Sequence, residues 1–501
     1  MPRKLPIFYN AILLTGVNLL LRFVSTSFQV FLSRRIGPAG IGLLQLVLSV
    51  GGLCTTAGMA GIRTATMYLT AGELGRKHPE NIHWVLSACC LFSILCSGAV
   101  STLLYSFAPQ IAKYWIGNES TTEAIRLYAC IIPVICLCGV MTGYFTAANR
   151  IGTLAAVEVA EQLLCLVSTM LILSFWAGSD PARACQSVII GSGAGACLTL
   201  VCLTFLRLRG RTPAGPRIPV RKRLLDTAVP LALADDLKAG ISTTENLMVP
   251  KRLGLYAVGE DPLSAFGTVC GMVFPVLMFP AAILFSLAEL IIPELARCNA
   301  AGSTRRIRYL VKRGLKVALL YGCFFCGLEL LLAEELCIAL YGSSDAGKQL
   351  QLYALLIPML YCDALIDAMT KGLGQQKACV RYNIVTSSMD VALLYILLPK
   401  YGMAGYYFSF LVTHLLNFLL SLGRLTKISG CSISVPVVCY TLTATAIAVA
   451  ASSLLTEPVL KVPSFLLIAA ALMFLMKVIK KEDLLWLKGL IQTSKSKNAA
   501  L

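Results

Sequence analysis

Charge is scarce in this 501-residue chain: 14% of its residues are Asp, Glu, Lys or Arg, against about a quarter in an ordinary soluble domain. With 57% apolar residues and a mean hydropathy of +0.77, that scarcity excludes a soluble globular protein of this length. Histidine is scarcer still. His78, His83 and His414 are the three, and none sits near cysteines at a metal-ligand spacing, so no metal site is expected. A membrane enzyme such as a glycan polymerase or acyl transferase needs a nucleophile or an acid and base near the interface. Three histidines and no outer loop long enough for a catalytic domain leave it little to work with. There is no GxxxxGK[ST] phosphate loop, so any energy must come from an ion gradient, the membrane potential or the cargo's own gradient. After the basic start MPRKLPIFYN no small-residue cleavage site follows, and the segment is expected to be kept as a first membrane span.

Cysteine, by contrast, is plentiful. The 20 cysteines fall mostly inside apolar runs, as at Cys89-Cys90, Cys136 and Cys138, where a thiol behaves as a small hydrophobe. No disulfide framework follows from them.

The apolar residues form fourteen long runs, at roughly 7–32, 41–71, 82–108, 124–147, 153–177, 184–208, 224–249, 262–292, 309–333, 350–372, 379–398, 403–425, 434–455 and 462–479. A spanning helix takes about 20 apolar residues. The expectation is an all-α polytopic protein with spans 1 to 14 in that order, because barrel strands would be short and alternating. The net charge of +18 follows topology and implies no nucleic acid. With the N-terminus in the cytoplasm, inside segments hold 29 Lys and Arg, outside loops 9, and 5 lie within or at the ends of spans. Both termini are therefore expected on the cytoplasmic side of the cell membrane. Arg34, Arg35, Lys251 and Arg252 run against the bias and are read either as lipid-facing snorkels or as parts of an outer gate.

Two short segments recur. Arg34-Arg35-Ile36-Gly37 echoes Lys251-Arg252-Leu253-Gly254, and Val24-Ser25-Thr26-Ser27 echoes Ile241-Ser242-Thr243-Thr244, both 217 positions apart. LYACIIP, ending at Pro133, returns as LYALLIP, ending at Pro358, 225 positions on. The extra eight residues fit a longer loop, LYAVGEDP, after Gly254. The chain thus reads as a duplication. Residues 1–208 form an N-lobe (spans 1–6), 209–223 a basic cytoplasmic linker, and 224–426 a C-lobe (spans 7–12). Residues 427–501 hold spans 13 and 14, assigned to lipid contact or partner packing, and a basic tail. Six spans per repeat is even, so the lobes are parallel repeats about an axis normal to the bilayer, as in some secondary transporters.

Ionisable residues inside spans carry the chemistry, because burying one in a bilayer needs a reason. Span 1 has Arg22 and span 2 has Arg63. Span 5 has Glu158 and Glu161, three apart and on one face. Span 7 is richest, with Asp235, Asp236, Lys238 and Glu245 after Pro230; neighbours 235 and 236 point about 100° apart, so both face a cavity only if it is broad and wet. Span 8 has Glu289, span 11 Asp390 and span 12 His414. Asp363, Asp367 and Lys371 make one stripe on span 10, which either binds cargo or neutralises itself. His414 is read as a hydrogen-bonded packing residue rather than a proton relay.

Several features converge on a known family: span 1 with its Arg and terminal RRIG, the Ala57-Gly58-Met59-Ala60-Gly61 turn inside span 2, the repeated LYAxxIP, and PELAR at Pro293 to Arg297. Together they resemble the multidrug, oligosaccharidyl-lipid and polysaccharide exporter superfamily, and within it the polysaccharide flippases similar to stage V sporulation protein B and the lipid II flippases. The resemblance implies two lobes around a V-shaped cavity with spans 1 and 7 as moving gates. In the lipid II flippases cavity arginines are held to grip the pyrophosphate, and Arg22 matches the first of them. Phe28 stands where those proteins have a second span 1 arginine, and span 8 offers Glu289 and no arginine.

The expected function is a flippase that moves a lipid-linked oligosaccharide or peptidoglycan precursor from the inner to the outer leaflet, for wall, capsule or spore cortex. Arg22 and Arg63 would hold the phosphates, and Asp235, Asp236, Lys238, Glu245, Asp363 and Asp367 would meet sugars or a coupling H+ or Na+. No resident cofactor is expected, and a monomer in the bilayer is favoured. The alternative is a cation-coupled multidrug exporter of the same superfamily, with the acids as the main binders. A purely structural scaffold would not require the buried charges. Orientation is testable: a cysteine at position 215 of the linker, in a cysteine-depleted background, should react with an impermeant thiol reagent only from the cytoplasmic side. Reaction only from outside would invert the topology.

Overall fold

A computed structural model of the chain describes residues 5–76, 78–177, 180–209, 220–256, 261–432, 434–455 and 457–478. The linker at 210–219, the 257–260 stretch of the LYAVGEDP loop and the tail from 479 lie outside the described residues.

The described residues are almost all helical, and the helices resolve into the fourteen expected spans. Leu5–Met59 is interrupted at Gly37 (φ 70°, ψ 177°), and Gln376–Ser429 at Gly402 (φ 58°, ψ −138°). Helices of 55 and 54 residues would each be about 80 Å long, far more than the ~30 Å apolar layer, so each is two spans joined at its glycine. Gly37 is the end of the RRIG motif, and a positive φ there costs glycine nothing. Span 2 continues as Ile62–Gly75, and spans 3 to 6 are Ile82–Gln110, Thr122–Ala147, Ile151–Ile172 and Pro181–Arg209. Span 7 is Arg221–Leu253, span 9 Thr304–Tyr341, span 13 Val435–Ser453 and span 14 Pro458–Leu475.

Spans 8 and 10 are bent rather than straight. Span 8 breaks between Met278 and Ala281, and in span 10 Ser344–Ala354 meets Ile357–Gly372 at 58°. The second bend differs from its sequence echo. Pro133 lies inside the unbroken helix of span 4, whereas Pro358 starts a new helix. Proline removes one backbone donor in either place, so surroundings decide whether the helix bends or breaks.

Two compact units emerge, residues 1–282 with 383–413, and residues 283–382 with 414–501. In the first, one core gathers Ile62, Ala65 and Leu69 of span 2, Val85 and Cys89 of span 3, Val140 and Phe145 of span 4, Leu203 of span 6, and Leu224 and Ala228 of span 7. Small residues let backbones close up, as is usual between membrane helices. A Cβ added to Gly143 of span 4 would stand 2.5 Å from the Arg63 carbonyl, and one on Gly267 of span 8 would stand 1.9 Å from the Pro38 carbonyl. In the second unit, Leu331 of span 9 packs with Ala448 of span 13 and Phe465 and Ala469 of span 14. An ion pair from Lys461 Nζ to Glu335 (2.7 Å) fixes span 14 to span 9. Spans 13 and 14 thus dock on span 9, and Leu467, Phe474 and Leu475 stay exposed on their outer side.

Gly267→Ala should lower stability by about 3 kcal/mol, because a rigid backbone carbonyl occupies the added methyl's place. Gly52, with nothing within 4 Å of its would-be Cβ, should tolerate Ala or gain slightly from better helix propensity. Thermal unfolding of both variants in detergent measures the contrast, and equal midpoints would refute the close approach of spans 2 and 8.

Candidate substrate cavity

Span 2 does not run straight through the membrane. It unwinds at Ala60 (φ 42°) and Gly61 (φ 68°) and restarts at Ile62. Non-helical backbone at membrane depth is tolerated where it lines a cavity or lies inside protein. A cavity of about 460 Å³ lies at this break, walled on one side by Thr55, Thr56, Met59, Gly61, Arg63 and Thr64. The opposite wall is span 7, through Asp235, Lys238, Ala239 and Ser242. Their spacing, i, i+3, i+4 and i+7, is one helix stripe.

The other faces of span 7 are fixed by polar contacts. Thr243 Oγ1 donates to the Ser49 carbonyl (3.1 Å), and Asn246 Nδ2 donates to Ser49 Oγ (3.0 Å). Asp236, about 100° around from Asp235, is outside the lining, and its Oδ1 is buried without a hydrogen-bond partner. At the C-terminal end of span 7 Lys251 donates to the Tyr114 carbonyl, and the Arg252 guanidinium lies 3.2 Å from the centre of the Tyr395 ring. These two basic residues therefore have protein partners.

Arg63, Asp235 and Lys238 are the sequence-derived candidates that the fold brings into one cavity. Arg63 makes no ion pair among the described residues, but Glu158 of span 5 is close enough to act on it electrostatically. Glu161, one turn on, accepts a 2.6 Å hydrogen bond from Thr199. The helix beginning at Ile62 has no side chain capping its first turn, so its free N–H groups and dipole add positive potential beside Arg63. Arg22 is partly buried, has no ion pair among the described residues and lies outside the lining.

The remaining candidates fall into two further clusters. In the first unit, Glu245 approaches Asp390 of span 11, and Asp390 Oδ1 accepts from Ser409 Oγ (2.6 Å) and Thr413 Oγ1 (3.1 Å) of span 12. The sequence marks Asp390 as an ionisable residue inside span 11 without linking it to Glu245, although hydroxyls four apart on span 12 are a readable sign of a polar face. In the second unit, Lys371 Nζ lies 2.5 Å from Asp367, so that part of the span 10 stripe neutralises itself. Asp363 instead accepts a 3.0 Å bond from Asn417 Nδ2 of span 12, while Asp363 Oδ1 and Asn417 Oδ1 are buried and unpartnered.

A fold of this kind, with fourteen spans and a polar cavity beside a broken helix, is that of membrane transporters. The MatE family model matches residues 14–176. Stage V sporulation protein B of Bacillus subtilis (strain 168) is 21% identical over 447 residues, 85% of each chain. Sporulation protein YkvU of the same organism is 21% identical over 383 residues, 74% of this chain and 83% of its own. A solved structure of the lipid II flippase MurJ in an inward closed conformation superposes with a TM-score of 0.72 at 13% identity, over 95% of this chain and 100% of that one. An inward-facing multidrug resistance MATE family transporter gives 0.66 at 14% identity, over 83% of this chain and 96% of that one. These relatives and folds are those of membrane transporters and flippases rather than enzymes, so the chain is similar to proteins of the MOP superfamily and is a multi-pass membrane protein.

Asp390→Ala would take the carboxylate acceptor from the Ser409 hydroxyl, while Thr413 keeps the Ser409 carbonyl (2.9 Å), and should lower stability by about 2–3 kcal/mol. Asp390→Asn keeps an accepting oxygen and should cost about 1 kcal/mol or less. Thermal unfolding of the two variants side by side checks this; equal losses would mean that the accepted hydrogen bonds contribute nothing.

Proposed function

We propose that this protein is a flippase for a lipid-linked glycan, carrying the anionic sugar headgroup through the cavity between spans 2 and 7 from the cytoplasmic to the outer leaflet. The observation that supports this best is the charge of the cavity wall. Arg63, Lys238 and the uncapped helix start at Ile62 outweigh Asp235, and together they suit a phosphate or pyrophosphate more than a cationic drug. Asp235 and the hydroxyls of Thr55, Thr56, Thr64 and Ser242 would meet sugar hydroxyls. Arg22 would serve as a further cation on span 1; the repeat pairs it with Ala239, which is on the cavity wall. The Glu245–Asp390 pair and Asp363 are the places for a coupling H+ or Na+. The orientation, with both termini and the linker cytoplasmic, rests on the distribution of basic residues. The relatives' sporulation names and the lipid II cargo of MurJ point the same way, toward wall or spore-cortex precursors.

A cation-coupled multidrug exporter is the second reading, supported by the MatE match and by Asp235 in the wall. Proteoliposomes separate the two. A fluorescent undecaprenyl-linked sugar should reach the opposite leaflet, and Arg63→Ala should slow it at least tenfold, the loss of about one charge-assisted hydrogen bond. Arg63→Lys should recover part of the rate, since it keeps the charge without the planar fork. Drug efflux without lipid flipping, lost in Asp235→Asn and kept in Arg63→Ala, would favour the exporter.

A further inference from the structure

The single carboxylate of span 2 is not in the cavity. Glu73, with 3% of its side chain exposed, sits in the last turn of the Ile62–Gly75 helix and accepts from Arg223 at the start of span 7 (Nη1 to Oε1, 2.8 Å). Its other oxygen accepts from Asn81 Nδ2 (2.9 Å), and Arg76 Nη1 lies 3.8 Å from Oε1. The short Pro79–Asn81 turn delivers Asn81, held by the His78 N–H donating to the Glu73 carbonyl (3.0 Å).

This cluster joins the two helices that wall the cavity. Glu73 is ten residues from Arg63, and Arg223 is twelve from Asp235. Each step is about 15–18 Å along its helix, toward the end of the protein that carries the linker. Between cavity and cluster the helices are packed shut. Leu69, Ala65 and Ile62 of span 2 share a core with Val220, Leu224 and Ala228 of span 7. At the top of that seam a Cβ on Gly61 would stand 2.7 Å from the Ala228 carbonyl. Cargo entering from the linker side along this wall would have to part that seam.

We propose that Glu73, Arg223 and Asn81 form a latch that closes the cavity toward the linker side, and that the latch breaks and reforms in each transport cycle. The composition suits a catch rather than a permanent joint. The seam above it is built from small and medium apolar side chains that separate into lipid or cargo tail at little loss. The polar contacts gather at its end, where Arg223 is 40% and Arg76 65% exposed. Both guanidiniums can return to water when the helices part, and Arg76, on the same helix as Glu73, remains as counter-ion for the carboxylate. The latch is independent of what the cargo is.

Hydrogen–deuterium exchange of the full-length protein in nanodiscs reads the latch without any substrate. Glu73→Gln and Arg223→Ala should each speed exchange in peptides spanning 62–76 and 220–232 by about tenfold, and leave spans 13 and 14 unchanged. Closing the joint should act in the opposite sense. Glu73→Cys with Arg223→Cys, bridged by a short bifunctional thiol reagent, should slow exchange in the same peptides below the wild-type rate, and reductive release should restore it. A joint that never opens would exchange at the wild-type rate when bridged, and that result overturns the proposal even if the broken variants fold poorly. Unchanged exchange in both broken variants overturns it as well. Because no cargo enters the measurement, failure here is distinct from failure of the flippase reading.

Discussion

A polar backbone or charged side chain inside the bilayer must find a partner or reach water, and most of this structure follows from that constraint. Span 2 breaks at Ala60 and Gly61, leaving peptide groups outside the regular helical ladder in mid-membrane. The break is sustainable because a cavity adjoins it and because the helix ends lie against span 7 and span 4. Once the cavity exists, the charges of span 7 have a place to point. Its cavity stripe holds Asp235 and Lys238, Thr243 and Asn246 bond to Ser49, and Lys251 and Arg252 meet Tyr114 and Tyr395. Without the cavity a helix this polar would not remain in the membrane, and span 7 is missing from the helices that qualify as spans by composition alone.

Most of the architecture was legible because the bilayer imposes a length. Fourteen apolar runs became fourteen spans, and the RRIG glycine proved to be the break between spans 1 and 2. Ala57 to Gly61, noted as a turn, contains the place where the helix unwinds, at Ala60 and Gly61. The bends of spans 8 and 10 were not legible. LYACIIP and LYALLIP are nearly the same peptide, yet Pro133 sits in a continuous helix and Pro358 begins a new one. A close neighbour distinguishes them: a Cβ on Gly322 of span 9 would stand 2.9 Å from Pro358 Cα. Tertiary packing of that kind leaves no trace in a local window.

The candidate site was legible by residue type and less so by position. Arg63, Asp235 and Lys238 share a cavity, as intramembrane charges are expected to. Asp236 and Asp235 are equal in composition, and only the helical angle between them sends one to the wall and the other away. Asp363 and Asp367 lie on one stripe but take different partners, Asn417 from 54 residues on and Lys371 from the next turn. Arg22, the most conspicuous charge in the sequence, lies outside the cavity wall. Glu73 went unnoticed because a glutamate at a helix end followed by basic residues usually marks a solvated terminus. Its burial depends on Arg223, 150 positions away.

The sequence echoes that suggest a duplication make their exceptions informative. The repeat pairs Arg22 with Ala239 and Arg34-Arg35 with Lys251-Arg252, so a site built on the pseudo-axis would carry matching groups on spans 1 and 7. The cavity instead uses Arg63 and the unwound turn of span 2 against a cationic and acidic stripe on span 7. A symmetric cargo would favour twinned contacts, whereas a lipid-linked headgroup has an anionic end, a neutral glycan and a tail that remains in the bilayer. One wall rich in positive potential and another that mixes charge with hydroxyls match that polarity. Under the proposed flippase reading, divergence of the two halves is what lets a duplicated scaffold hold a polar, lopsided molecule at a single place.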